Sequence, residues 1–106
     1  MLCLSIRQPY IGDIVSGEKT VEMRSWPTNH RGPLALHCSK AGLPQDRSLT
    51  RGAVVAVCEV VDCRPLEEDP TLWGWHLRSV RRVKPHPCRG NARFFKVPDN
   101  LVPLAP

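Results

Sequence analysis

The chain has 106 residues, enough for one domain around a single core, which excludes a multidomain enzyme or a solenoid. Apolar residues at 42% and charged residues at 24% describe an ordinary globular chain rather than a disordered one. The net charge is +5, and 11 of the 15 cations are arginine, which favours an anionic or planar partner.

Residues 2–6, Leu-Cys-Leu-Ser-Ile, read as a short apolar strand. Pro9 stands where a helix can begin, Tyr10, Ile11, Ile14 and Val15 recur at helical spacing, and Gly17 is a natural stop. Residues 18–26 then alternate as a strand, with Thr20, Glu22, Arg24 and Trp26 on one face and Lys19, Val21, Met23 and Ser25 on the other. Pro27 ends it, and Arg31-Gly32-Pro33 turns into a strand over residues 34–38. Residues 39–51 read as a polar connection, with or without one helical turn. A long Val-rich strand is expected over 53–63, an acidic loop over 65–70, and further strands over 75–84 and 92–97, before an extended tail at 98–106.

About six short strands and one or two short helices, punctuated by 11 prolines and 7 glycines, indicate a mainly β domain over residues 1–106 with some α. A small closed β-barrel or a tightly curled sheet is the expected form, and closure suits a Val-rich strand that is apolar on both faces. No apolar run reaches the ~18–20 residues of a membrane span, and no signal peptide is legible, so a cytoplasmic place is expected. The five cysteines are scattered without a Cys-x-x-Cys pair, which suits reduced thiols. His86 and Cys88 could share a face, but two ligands do not make a zinc site, so no metal and no cofactor are expected.

Three constellations could carry chemistry. Ser5, Gln8, Lys19, Thr20, Glu22, Arg24 and Trp26 surround the helix and the strand after it. Glu22 and Arg24 lie two apart on one face, suited to pairing or to joint contact with a ligand; a solvated strand face is the plainer reading. Glu59 interrupts a row of Ala53, Val55, Val57, Val61 and Cys63, so if buried it must pair or stay protonated. Lys19 or Arg24 as its partner makes it structural, and an exposed place at a cleft makes it a candidate base. Residues 78–96 carry seven cations and no acid, namely Arg78, Arg81, Arg82, Lys84, Arg89, Arg93 and Lys96, while the remainder holds eight cations against ten acids. Phe94 and Phe95 lie within this stretch and Trp73 and Trp75 just before it. That mixture suits single-stranded nucleic acid, with at least half of these rings expected in the core. No Gly-x-Ser-x-Gly, P-loop, Gly-x-Gly-x-x-Gly or His-Glu-x-x-His occurs.

Ser5-Ile-Arg-Gln-Pro9, Ser16-Gly-Glu-Lys-Thr-Val-Glu22-Met-Arg-Ser-Trp26 and His30-Arg-Gly-Pro-Leu34 together resemble the first half of an ASCH domain. The stretches from Gly52 to Asp62 and from Val83 to Gly90 extend the resemblance over about residues 3–97. The resemblance implies a barrel related to the PUA domains of RNA-modifying proteins, with helices beside a cleft that accepts RNA, a nucleotide or a modified base. Gln8, Lys19, Glu22 and Arg24 would face that cleft, with Ser5 and Trp26 nearby. One bacterial branch of the family is an amidohydrolase that deacylates N4-acetylcytidine with a lysine, a threonine and a glutamate. Lys19 falls on the lysine, Glu22 occupies the threonine's position, and the glutamate has no residue-by-residue match, so the set is incomplete.

The expectation is therefore a module binding RNA, other single-stranded nucleic acid or a nucleotide. In it the cleft selects and the basic stretch at Arg78, Arg81, Arg82, Lys84, Arg89 and Arg93 attracts. The alternatives are an amidohydrolase using Lys19, Glu22 and Glu59, and a protein-interaction module. Oligomeric state is left open by the sequence.

Overall fold

β1 (Leu2–Ile6) turns Leu4 and Ile6 to one face and Cys3 to the other, and all three are buried. In α1 (Tyr10–Ser16) the buried residues Ile11 and Ile14 sit three apart on one face. Gly17 ends the helix in the left-handed region at φ 87°, its N–H returning to Ile14 O. The next turn is spent closing the helix rather than extending a strand, since the Lys19 N–H bonds Asp13 O at 3.0 Å. β2 is consequently shorter than the alternation of 18–26 suggested, running Val21–Arg24. Then come β3 (Gly32–Cys38), β4 (Ala53–Pro65), β5 (Trp73–Pro87) and β6 (Phe95–Lys96). The computed structural model describes residues 1–43 and 45–104; Pro44 in the polar connection and the last two residues of the tail lie outside them.

The sheet order is β2-β5-β4-β3-β1-β6, antiparallel throughout except for the parallel pair β1 and β3. A parallel pair needs a crossover, which α1 and β2 supply. β4 is long and central, and it has partners on both sides. Apolar side chains cover both faces of the sheet. The larger cluster holds Leu4, Ile11, Ile14, Leu34, Leu36 and Trp75, and the smaller holds Cys3, Ala35, Val54, Val83 and Val97. Burial on both sides explains why β4 reads as a nearly continuous apolar run.

The mainly β class with one short helix holds, but the ladder does not close into a barrel. β2 and β6 are edges that do not pair with each other. Side chains span the gap instead. Arg24 Nη2 donates to Ser5 O at 2.7 Å, and Trp26 packs edge-on against Trp75 and Phe94 at centroid distances of 4.8 and 5.3 Å. β5 outruns the expected 75–84 despite Pro85 and Pro87. β2 covers only Trp73–His76, so prolines further along cost no ladder bond on that uncovered side. There the tail lies along β5, with the Lys84 N–H on Val102 O and the Leu104 N–H on Arg82 O. Among the described residues no helix is long and apolar enough to cross a membrane.

Candidate functional site

The gap between β2 and β1 opens into a cleft of about 1260 Å³. Its floor is a charge cluster built on β2. Glu22 Oε1 accepts from Lys19 Nζ and Oε2 from Arg24 Nη2, each at 3.1 Å. The three side chains are only 7%, 21% and 18% exposed, so each charge is largely removed from water and depends on the others. Lys19 escapes the alternation that assigned it to the opposite face, because it lies in the turn before the strand. Its ammonium also sits 5.0 Å from the Tyr10 ring centroid. Arg24 Nε is buried without a hydrogen-bond partner.

One wall is residues 87–92, fixed to the sheet by an inner hydrogen-bond chain. The parallel register sets Ser5 opposite His37. Ser5 Oγ lies 3.0 Å from His37 Nδ1, His37 Nε2 lies 2.9 Å from Cys88 O, and the Asn91 N–H reaches Ser5 Oγ at 3.2 Å. Gly90 packs directly over this chain, since a Cβ there would fall 2.5 Å from Ser5 Oγ and 2.8 Å from His37 Cε1. Cys88 borders the cleft while its side chain packs on the smaller apolar cluster, and burial holds its thiol above its ordinary pKa. Trp26 contributes the aromatic surface, and the Arg93 guanidinium carbon lies 4.5 Å from its ring centroid.

Ser5, Lys19, Glu22, Arg24 and Trp26 thus converge as the sequence suggested, whereas Gln8 does not face the cleft. It is 1% exposed, its Oε1 accepts the N–H groups of Gln45 and Asp46, and its Nε2 donates to Asp46 O. An amide so fully engaged serves to pin the polar connection. Glu59 also lies elsewhere. It meets Arg78 Nε at 3.1 Å in a largely exposed pair, and it lines a separate cavity of about 430 Å³ together with Ser79 and Arg81. Its partner is neither Lys19 nor Arg24.

The basic stretch is continuous in sequence and divided in space. Arg89 borders the cleft and Arg93 covers Trp26. Arg78 pairs with Glu59, Arg81 lines the second cavity, Arg82 donates to Ser48 O, and the Lys84 side chain is exposed. Irregular pairing contributes to this division. Glu59 opposes Arg78 and Val57 opposes Arg81, so β5 carries one extra residue there, with Ser79 at φ 55°. All four rings of the 73–95 region pack against the core clusters.

Sequence reasoning missed His37, Arg7, Lys40 and Asn91. The available signal for His37 was the helix between β1 and β3, which implies parallel pairing and so a cross-strand neighbour for Ser5. Five cations and one carboxylate border the cleft. With Lys19 and Arg24 held by Glu22, the described residues offer Arg7, Lys40 and Arg89 no carboxylate. Among the described residues no group of three or more His, Cys, Asp or Glu side chains is placed to hold a metal ion.

The family model of the ASCH domain matches residues 4–99. The crystal structure of ASCH from Zymomonas mobilis aligns at TM-score 0.61 and 17% identity, covering 98% of this chain and 87% of that one, which shows a shared fold. No curated protein matches the chain.

Proposed function

Since the chain belongs to the ASCH domain family, we propose that its cleft binds RNA or a nucleotide derived from it. The observation that carries this reading is the imbalance of charge at the cleft, where three cations lack a carboxylate partner among the described residues and border a space that Trp26 also lines. Phosphate contacts supply affinity and salt dependence, while a flat ring and a few fixed polar groups favour a base. Glu22 has both oxygens occupied by cations, so its part is to hold Lys19 and Arg24 in place rather than to read a base edge. Arg89 and Arg93, at one end of the basic stretch, serve the cleft. Unpaired, buried Cys3, Cys38 and Cys58 support work in a reducing compartment such as the cytoplasm.

Titration of a short labelled RNA against the protein at several salt concentrations tests the reading. The expected result is binding that weakens steeply with salt and is reduced about tenfold or more by Lys19→Ala. Binding that ignores both salt and Lys19 contradicts it. A second reading, hydrolysis of an acylated nucleoside such as N4-acetylcytidine, is favoured by the Lys19 ammonium held beside the cleft by Glu22. Incubation with acetylcytidine gives cytidine if it holds, and equal product from wild type and Lys19→Ala removes it.

A further inference from the structure

We propose that Ser5 is an acyl-accepting nucleophile with His37 as its general base, acting on ester- or amide-linked acyl groups carried into the cleft. The inference depends on the cleft being a ligand site and deepens the hydrolytic reading, but it does not require RNA as the ligand. The Cys88 carbonyl can only accept, so His37 Nε2, 2.9 Å away, carries the proton. Nδ1 is then the acceptor, and the Ser5 hydroxyl, 3.0 Å from it, donates. One Ser5 oxygen lone pair takes the Asn91 N–H and the other remains available. A hydroxyl with its proton directed to a base, and a base oriented by a third group, is the arrangement that activates serine.

The surroundings suit the step. Both side chains border the cleft, and Gly90 packs against them closely enough to hold the pair in register. Arg24 donates to Ser5's own carbonyl at 2.7 Å, which fixes the backbone that carries the hydroxyl. Neither hydrogen bond of this hydroxyl involves Glu22, the residue that the family resemblance sets at the deacylating branch's threonine position.

In the forward step the Ser5 Oγ to acyl carbon bond forms and the Oγ proton passes to His37 Nδ1. The bond from the acyl carbon to the leaving nitrogen or oxygen breaks, and that atom takes the proton from Nδ1. Water then attacks the acyl-serine and gives a proton to Nδ1, which returns it to Ser5 Oγ as the carboxylic acid departs. The imidazolium formed between these transfers keeps its Nε2–H on the Cys88 carbonyl.

The test uses 4-nitrophenyl acetate as probe, with nitrophenolate release followed and the acetylated residue located by peptide mass spectrometry. Short-RNA binding is measured on the same preparation. The expected result is an initial release of about one equivalent per chain, with acetyl on Ser5, lost in Ser5→Ala and slowed at least about a hundredfold in His37→Gln. Mapping the wild-type adduct keeps the proposal falsifiable if a variant fails to fold. Initial acetylation at Lys19 or Cys88, or no acetylation by a protein that binds RNA, overturns it and leaves the pair as a clamp on residues 87–92. Acetylation at Ser5 without RNA binding upholds the nucleophile and removes the RNA reading.

Discussion

Two carboxylate–arginine pairs stand in different parts of this domain, and water separates their roles. Glu22 is 7% exposed and holds two cations at the cleft, whereas Glu59 is 43% exposed beside Arg78, itself 67% exposed. The bond lengths match at 3.1 Å, so geometry does not distinguish them. Desolvation does. An exposed pair contributes ~0–1 kcal/mol, while removing the central member of a buried one strands its partners.

Replacing each carboxylate therefore has the largest contrast to offer. Glu22→Ala is expected to lower stability by about 3 kcal/mol and to release Lys19 and Arg24 from the cleft floor. Glu59→Ala should change stability by less than about 1 kcal/mol. Denaturant unfolding of both variants measures the difference, and equal losses would break the comparison.

The sequence makes one of these pairs legible and hides the other. Alternation on β2 puts Glu22 and Arg24 on one face, and that local period survives in the fold. Glu59 sits in an apolar row that suggests burial, but the irregular β4–β5 register leaves it beside Arg78 at the surface. Gln8 carries no sequence sign of being a staple, because its partners lie 37 and 38 positions away. The Ser5–His37 contact spans 32 positions and depends on which strands pair. Barrel closure is not legible for a similar reason. Apolar patterning shows that both sheet faces are covered, but not whether two edges share a ladder.

Gly90→Ala addresses the cleft wall next. The added methyl group meets Ser5 and His37, and a stability loss of about 1–3 kcal/mol is expected, with weaker ligand binding. Thermal melts and RNA titration read the two effects. A variant that melts and binds like wild type would mean the wall gives way freely.

Charge reversal sharpens the spatial division of the basic stretch. Arg89→Glu should weaken RNA binding about tenfold and flatten its salt slope, while Arg78→Glu leaves both nearly unchanged. Equal effects would restore the stretch to a single attracting surface.

Acid offers the smallest contrast. Hydrogen bonds from the Ser48 side chain and backbone hold the Asp46 carboxyl below its ordinary pKa. Its stabilising contribution is present above the unfolded value and fades as pH falls below about 4 toward the lower folded value. Amide exchange at Ser48 should quicken over that interval, slightly and locally, because the carboxyl is mostly exposed. Unchanged exchange would remove Asp46 as a support of the connection that Gln8 pins.

Amide chemical-shift mapping during titration with a short RNA tests the central claim most directly. The account predicts shifts concentrated at Ser5, Lys19, Arg24, Arg89 and Asn91, with Glu59, Arg78 and Arg81 still. Shifts centred on the β4–β5 surface around Arg78 and Arg81, or none at saturating RNA, would contradict it.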